Sequence, residues 1–481
     1  MHIPLTGIVL VPVILLVFLV RPARLEQMLI CMAVFQAAAV LNLGGGFSFG
    51  LSPYFFTACL LAARVTLRWV TGGIRFWRGE FAQTHLQIAA LFIGWCVLSA
   101  FLLPILFEGT PVDSPRAGAE AVFYLALPLK WSFSNAGQAM YMVLNFFVLV
   151  ALAEFSVSRR IESLLNAFTF SGVIVLLVGL YQMASYRFGL PFPSSFFNSN
   201  GAWAQNFNQM MSGGWHRVSA TFVEPSEAGG FLSAWVLFEL ILANWGMTKR
   251  RTHWLLAIVG CVVLLATTSS TGYATVGLVL CCMTAQVVFQ VIRSGHIPIR
   301  TGMTVATFTI AIGAFLALGH GASLLDSILW HKSDSTSGVV RMATVWRALD
   351  VMRDTYGLGA GLGSNRAFGA LAYIGSNLGI FGLVVFFCML AQLLGKVVSY
   401  VRALPSWTPG RVAIIACAAA FCANLIGAAI SGAEISDPRI WVLWGMLLAS
   451  LRAQAAVSGS SAGEITAVAR SNVFYPRPSF G

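Results

Sequence analysis

Apolar positions along this chain gather into long runs separated by short polar breaks. The runs lie at about 5–20, 28–43, 51–67, 86–106, 138–156, 162–184, 225–246, 254–269, 272–292, 301–319, 376–396, 411–430 and 438–451. Most approach the roughly 20 residues that carry a helix across a hydrocarbon core. The pattern predicts an all-α polytopic membrane protein of about 12–14 transmembrane helices. Residues 1–452 read as a single transmembrane domain, with long loops on one face at about 107–137, 185–224 and 320–375. In the first of these, Ala121 to Leu129 is apolar but too short to span, which predicts an interfacial helix or a re-entrant segment. Met1 to Val20 lacks a basic leading region and reads as a retained first span with its N-terminus outside. The tail, 453–481, is rich in Ser, Ala and Gly without a hydrophobic period and is expected to be disordered.

Charge orients the spans. Alternate loops, from Arg21/Arg24 through Arg64/Arg68/Arg75/Arg78 to the tail with Arg452, Arg470 and Arg477, hold 19 of the 29 Lys and Arg residues. Retained positive charge marks the cytoplasmic side. The three long loops therefore face outward. The net charge of +12 follows largely from this bias, and no basic-aromatic module points to nucleic acid. At 58% hydrophobic and 10% charged residues, the composition excludes a soluble domain. All nine cysteines sit in apolar segments and the seven histidines are scattered, so neither disulfides, a metal nor a cofactor is expected.

Against that bias, one outer loop carries Lys332, Arg341, Arg347, Arg353 and Arg366. An anionic substrate is a physical reason for cations there. Within it, Ser337 suits an N-cap and Val339 to Tyr356 reads as an amphipathic helix ended by Gly357. Projection places Val345, Ala348, Leu349 and Met352 on an apolar stripe, with Arg347, Asp350 and Asp354 opposite. Arg341 falls on the apolar side, so it must meet either an acidic partner (Glu224, Glu434 or Asp437) or a phosphate-bearing substrate. Gly357, Gly359, Gly361 and Gly363 then alternate ahead of Arg366, a spacing that can turn N–H groups towards an anion or serve as a hinge. The Gly-Lys-Ser/Thr ending of a nucleotide loop is missing.

A second constellation precedes the span at 225–246. Arg217 and Glu224 supply a cation and a candidate base, Glu227 sits in the first helical turn, and Trp215 and His216 end a stretch dense in amides and aromatics suited to a sugar. Few ionisable groups lie inside spans (Glu239 is the clearest), which counts against an ion-driven transporter.

The order Arg217…Phe222-Val223-Glu224-Pro225-Ser226, then Thr268 to Tyr273, Arg341…Trp346, Gly359/Gly361/Gly363 and Ser376-Asn377-Leu378-Gly379-Ile380-Phe381-Gly382 resembles the O-antigen polymerase and O-antigen ligase superfamily, over about Asn135 to Val398. The resemblance implies a GT-C-like helical fold in the bacterial inner membrane. It also implies metal-independent transfer of glycan from an undecaprenyl-diphosphate-linked donor to a glycan acceptor at the periplasmic face, with a chain-length regulator as a further partner. By the same resemblance Arg217 and Arg341 hold the diphosphate. The ligase branch carries a histidine ahead of the span that follows the large loop. Here Ser376-Asn377 takes that place, which favours a polymerase of exopolysaccharide, capsule or O-antigen repeats. The expected catalytic residues are Arg217, Arg341 and Glu224, with His216 a second candidate base. Arg366, His216, Glu227, Asn377 and Trp215 are expected to bind substrate. Ligase-type transfer of finished glycan and a lipid-linked sugar flippase or exporter are the alternatives.

Overall fold

The computed structural model describes residues 2–44, 49–72, 81–113, 126–158, 161–201, 211–212, 215–245, 249–294, 302, 306, 336–404, 408–431 and 434–471. Among them fourteen α-helices follow one another: α1 Leu5–Val20, α2 Leu25–Met32, α3 Pro53–Val70, α4 Phe81–Leu106, α5 Phe133–Ser158, α6 Glu162–Phe188, α7 Ser194–Phe197, α8 Pro225–Trp245, α9 Arg250–Ala266, α10 Ser270–Ser294, α11 Thr336–Asp354, α12 Ala370–Ala403, α13 Pro409–Ser431 and α14 Pro438–Ser471. Three antiparallel two-stranded hairpins complete the secondary structure: β1 Leu41–Leu43 with β2 Phe49–Leu51, β3 Pro111–Val112 with β4 Leu127–Pro128, and β5 Met211–Ser212 with β6 Trp215–His216.

This is a mostly helical, multi-pass membrane protein. Among the described residues six helices (α4, α5, α6, α8, α12 and α13) are long and apolar enough to cross a bilayer, seven if the bent α1–α2 pair counts as one span. Exposed Leu16, Leu19, Leu91, Ile105, Leu177 and Phe387 line their outer surfaces, as lipid-facing side chains do. Fewer spans qualify than the run of apolar segments predicts. The second run is helical only as far as Met32, α3 carries Arg64 and Arg68, α9 has 17 residues, and most of 301–319 lies outside the described residues. The last helix runs on to Ser471, past the point where a disordered tail is expected. Within Ala121–Leu129 only 126–129 is described, and Leu127–Pro128 pairs as a strand with Pro111–Val112.

The second apolar run breaks part-way. After Met32 the chain stays largely buried but follows an irregular path, a turn at Ala33–Val34 and then bends, as far as Val40. Its backbone groups are satisfied from outside: Ala37 N–H donates to the Thr221 carbonyl (3.2 Å), and the Asn200 N–H donates to the Ala37 carbonyl (3.0 Å). Non-helical backbone in a membrane bundle persists only where protein encloses it or where it lines a cavity. Here it does both.

At the centre stands α8, packed against α13, α9, α10 and α6. Pro225 opens this helix, where a missing N–H costs nothing. Its start lies at the same end of the bundle as the end of α13 and the beginnings of α12 and α14. Two ion pairs and a hydrogen bond fasten the opposite end: Arg64 with Glu26 (2.9 Å), Arg452 with Glu154 (2.5 Å), and His253 Nδ1 with Glu239 (2.6 Å).

The alternating glycines form a packed plug. Gly357, Gly359, Gly361 and Gly363 all have positive φ, between +77° and +94°. The plug fits against a break in α12 at Gly379 (φ +69°). That break frees carbonyls. Those of Ser376 and Asn377 accept from Ala360 N–H (2.8 Å) and Gly361 N–H (2.9 Å), and that of Leu378 from the Trp95 indole (2.8 Å). A Cβ on Gly359 would stand 2.7 Å from the Asn377 backbone. Gly359→Ala is therefore expected to cost about 1–3 kcal/mol for its left-handed φ, and more for the collision. Gly94→Ala, facing open space, serves as the control. Thermal unfolding of the two purified variants checks this, and equal melting temperatures would refute the packed-plug account.

Candidate functional site

Two arginines from distant parts of the sequence meet at one end of the bundle. Arg217 leads from β6 towards α8. Its Nε donates to the Thr267 carbonyl (3.3 Å) and to Thr268 Oγ1 (3.1 Å) in the α9–α10 turn, which leaves its terminal nitrogens outside that contact. Thr268 holds φ at +45°, a region β-branched residues avoid, so the turn carries backbone strain at the point that anchors the guanidinium. Arg341 comes from the first turns of α11 and reaches the end of α13, where Nη1 donates to the Ile430 carbonyl (3.5 Å). Its Nε is buried without a partner.

Burial lowers the pKa of both groups from the ordinary guanidinium range, and Glu224 opposes the shift in each. For Arg217, the positive charge of Arg341 adds to the lowering. Two half-buried cations close enough to repel, with one carboxylate tempering both, make an electropositive corner that an anion would complete. Glu224 accepts from Ser226 Oγ (2.9 Å).

The helix that carries Arg341 turns a different face inward from the one hydropathy predicts. It begins at Thr336, so Ser337 lies inside the first turn rather than capping it. Thr344, Ala348, Val351 and Thr355 are buried, while Met342, Trp346 and Leu349 are 50–62% exposed. The threonines do what leucines cannot: Thr344 Oγ1 accepts from Phe368 N–H (3.2 Å) and Thr355 Oγ1 from Gly359 N–H (3.0 Å). Arg341 still points to the protein body, as its place in the helix predicts. Arg347 sits 3.8 Å from Asp113, whose own pKa burial raises and Arg347 and Arg366 lower, and Arg353 contacts Asp350 and Asp354 (3.4 Å each). Those two arginines have local partners.

Arg366 joins the site through Phe368. The guanidinium carbons of Arg341 and Arg366 each lie 5.4 Å from the Phe368 ring centroid, a cation–π arrangement that holds both at one aromatic. Arg366 also faces a cavity of about 210 Å³ bounded by the irregular 33–36 segment, α5, and the α8, α12 and α14 starts. Glu224 and Glu227 line the same cavity. Glu227 Oε1 accepts from Gln36 Nε2 (3.1 Å), and the Arg439 guanidinium lies 4.0 Å away. Glu434, opposite, is held by Gln138 Nε2. Burial raises its pKa, while Gln138 and Arg366 pull it down.

Two expected site residues do not join this group. Asn377 is fully buried and saturated: its Oδ1 accepts from the N–H groups of Ser364 (3.0 Å) and Asn365 (2.9 Å), and its Nδ2 donates to the carbonyls of Asn365 (2.8 Å) and Tyr373 (2.9 Å). It shapes the loop that presents Arg366 and has no capacity left for a substrate. His216 is exposed and stacked on Tyr186 (4.5 Å between centroids) without lining the cavity. The side chain of Trp215 lies outside the described residues. In the glycine loop the N–H groups of Gly359, Ala360, Gly361, Ser364, Asn365 and Arg366 all donate within the protein and are not offered to an anion.

Gln36, Gln138 and Phe368 were not legible as site residues. The signal available was weak: an amide inside an otherwise apolar stretch must find a partner. A scan of the chain against protein-family models and a search of curated proteins both return no match.

Proposed function

We propose that the protein is a membrane glycosyltransferase that extends lipid-linked glycan, drawing on an undecaprenyl-diphosphate-linked donor at the periplasmic face of a bacterial inner membrane. The observation that carries this reading is the convergence of Arg217 and Arg341, two desolvated cations that temper their charge on Glu224 and retain unspent donor capacity.

Glycan transfer breaks the bond between the donor's anomeric carbon and a diphosphate oxygen. The bonding pair leaves with that oxygen, and guanidinium groups bind the resulting charge without changing protonation. An acceptor hydroxyl forms the new bond to the anomeric carbon and gives up its proton. Glu224, between the arginine pair and the cavity, is the base this geometry favours over His216, which faces elsewhere. Arg366 adds a third cation on the cavity side. None of these steps needs a metal or cofactor.

The test is reconstitution. Purified protein in liposomes with a lipid-linked repeat unit should yield a ladder of products differing by whole units. Product that remains at single units, on either leaflet, would refute polymerisation.

A further inference from the structure

The cavity beside the arginines is built for something other than a phosphate. Four carboxylates line it (Glu224, Glu227, Glu434 and Asp437), against Arg366 as the one lining cation among the described residues. An anion has poor grounds to enter. The polar atoms left over are three acceptors and the Tyr373 hydroxyl. Gln138, 8% exposed, points Nε2 at Glu434, and its buried Oε1 has no partner. Gln36 points Nε2 at Glu227, and its Oε1 is likewise buried and unpartnered, as is Glu227 Oε2. Each amide turns its NH₂ end to its glutamate, the orientation that an ionised carboxylate, an acceptor only, requires.

Three residues with an orphaned acceptor, from three elements (the irregular 33–40 segment, α5 and α8), thus line one cavity. Each such atom costs about 1–3 kcal/mol if nothing bonds to it. A ligand bearing several O–H donors removes that cost. The space, about 210 Å³, equals roughly seven waters at about 30 Å³ each and suits one sugar ring. Tyr54, Phe55 and Tyr141 supply aromatic walls, the last two stacked at 3.8 Å. Glu224 stands at the boundary between this cavity and the arginine pair.

We propose that the cavity is the acceptor subsite, which takes a single neutral sugar residue by its hydroxyls through Gln36, Gln138 and Glu227, while Arg217 and Arg341 hold the donor's diphosphate. This assignment rests on the glycan-transfer reading. It divides the site into an acceptor-rich half for the attacking sugar and a cationic half for the leaving group, with Glu224 between them.

The experiment measures the two halves separately on full-length protein in nanodiscs. Saturation-transfer NMR uses methyl glucoside, methyl galactoside and N-acetylglucosamine as probes, and undecaprenyl diphosphate binding is titrated in parallel. At least one glycoside should show transfer in the unaltered protein. Gln138→Met should reduce that signal about fivefold or more and leave diphosphate affinity within about twofold, as expected for a lost hydrogen bond. Arg217→Ala should do the reverse. Gln36→Met, at a less buried position, gives the same readout if Gln138→Met melts early. If no glycoside binds, or binding ignores both glutamine substitutions while diphosphate affinity still depends on Arg217, the acceptor subsite is refuted and the transfer reading stands. If diphosphate affinity ignores Arg217, the transfer reading fails. Competition of the glycoside signal by ammonium or sodium at millimolar concentration would reassign the cavity to a cation and overturn the proposal.

Discussion

Replacing Arg341 by Ala is expected to lower polymer formation by about 10²–10³-fold, the loss typical when one preorganised donor to a leaving oxyanion is removed. The side chain is inward-facing, half-buried, and bonded only weakly to the Ile430 carbonyl at 3.5 Å, so little folding energy depends on it. Removing a desolvated cation also relieves its repulsion of Arg217. The variant should accordingly insert and melt like the unaltered protein. Arg341→Lys should recover only part of the activity, because an ammonium cannot offer the forked donors that match a diphosphate. Product ladders and melting temperatures, measured together, separate the outcomes. Long polymer from a well-folded Arg341→Ala variant would remove the arginine pair from the mechanism.

Arg439→Met should damage the fold rather than the chemistry. Arg439 is 6% exposed and grips Asp437 with two side-chain nitrogens, with Nε 2.9 and 3.0 Å from its two oxygens. Nη1 donates to the Glu227 carbonyl (2.8 Å), and the guanidinium lies over the Phe222 ring (5.4 Å). Loss of one member of a buried pair leaves an uncompensated charge, at a cost of about 3–5 kcal/mol. Asp437 would be that charge, and Glu227 would lose its nearest cation. Poor yield and an early thermal transition are expected, with partial recovery in the double variant Arg439→Met, Asp437→Asn. Asn retains the oxygen that accepts the Arg439 N–H at the start of α14 (2.8 Å). A single variant that melts like the parent would show that this pair is dispensable. Because Arg439 also steadies Glu227 at the cavity wall, any protein that survives should show weakened acceptor binding as well.

Several elements are legible in the linear chain. Apolar runs of helical length locate α4, α5, α6, α8, α12 and α13, because a segment that faces lipid or other helices must be apolar along its whole length. Glycine at 357 marks the end of α11, and the structure closes that helix with the Gly357 N–H on the Met352 carbonyl (2.7 Å). Helical projection places Arg341 on the inward face. Other elements cannot be read this way. Residues 28–43 have helix-like hydropathy, yet the helix stops at Met32, because tertiary partners such as the Thr221 carbonyl satisfy the irregular backbone beyond it. The alternating glycines read as a phosphate nest when considered locally. Instead the N–H groups of Gly357 and Gly359 close the end of α11, on the Met352 carbonyl and Thr355 Oγ1, and that of Gly361 goes to α12's broken turn, which no local pattern discloses.

Sequence alone determined that this chain is a helical, multi-pass membrane protein and that Arg217, Glu224, Arg341 and Arg366 are cations and a carboxylate without local explanation. Hydropathy and charge are properties of single residues and short windows, so they survive in the linear text. Only the tertiary structure decided which of those residues share a corner and which amides and aromatics enclose the cavity. It alone assigned Asn377 to the scaffold. Each of those is a contact between segments tens to hundreds of residues apart, and its energy depends on burial and on partners that exist only once the helices have packed.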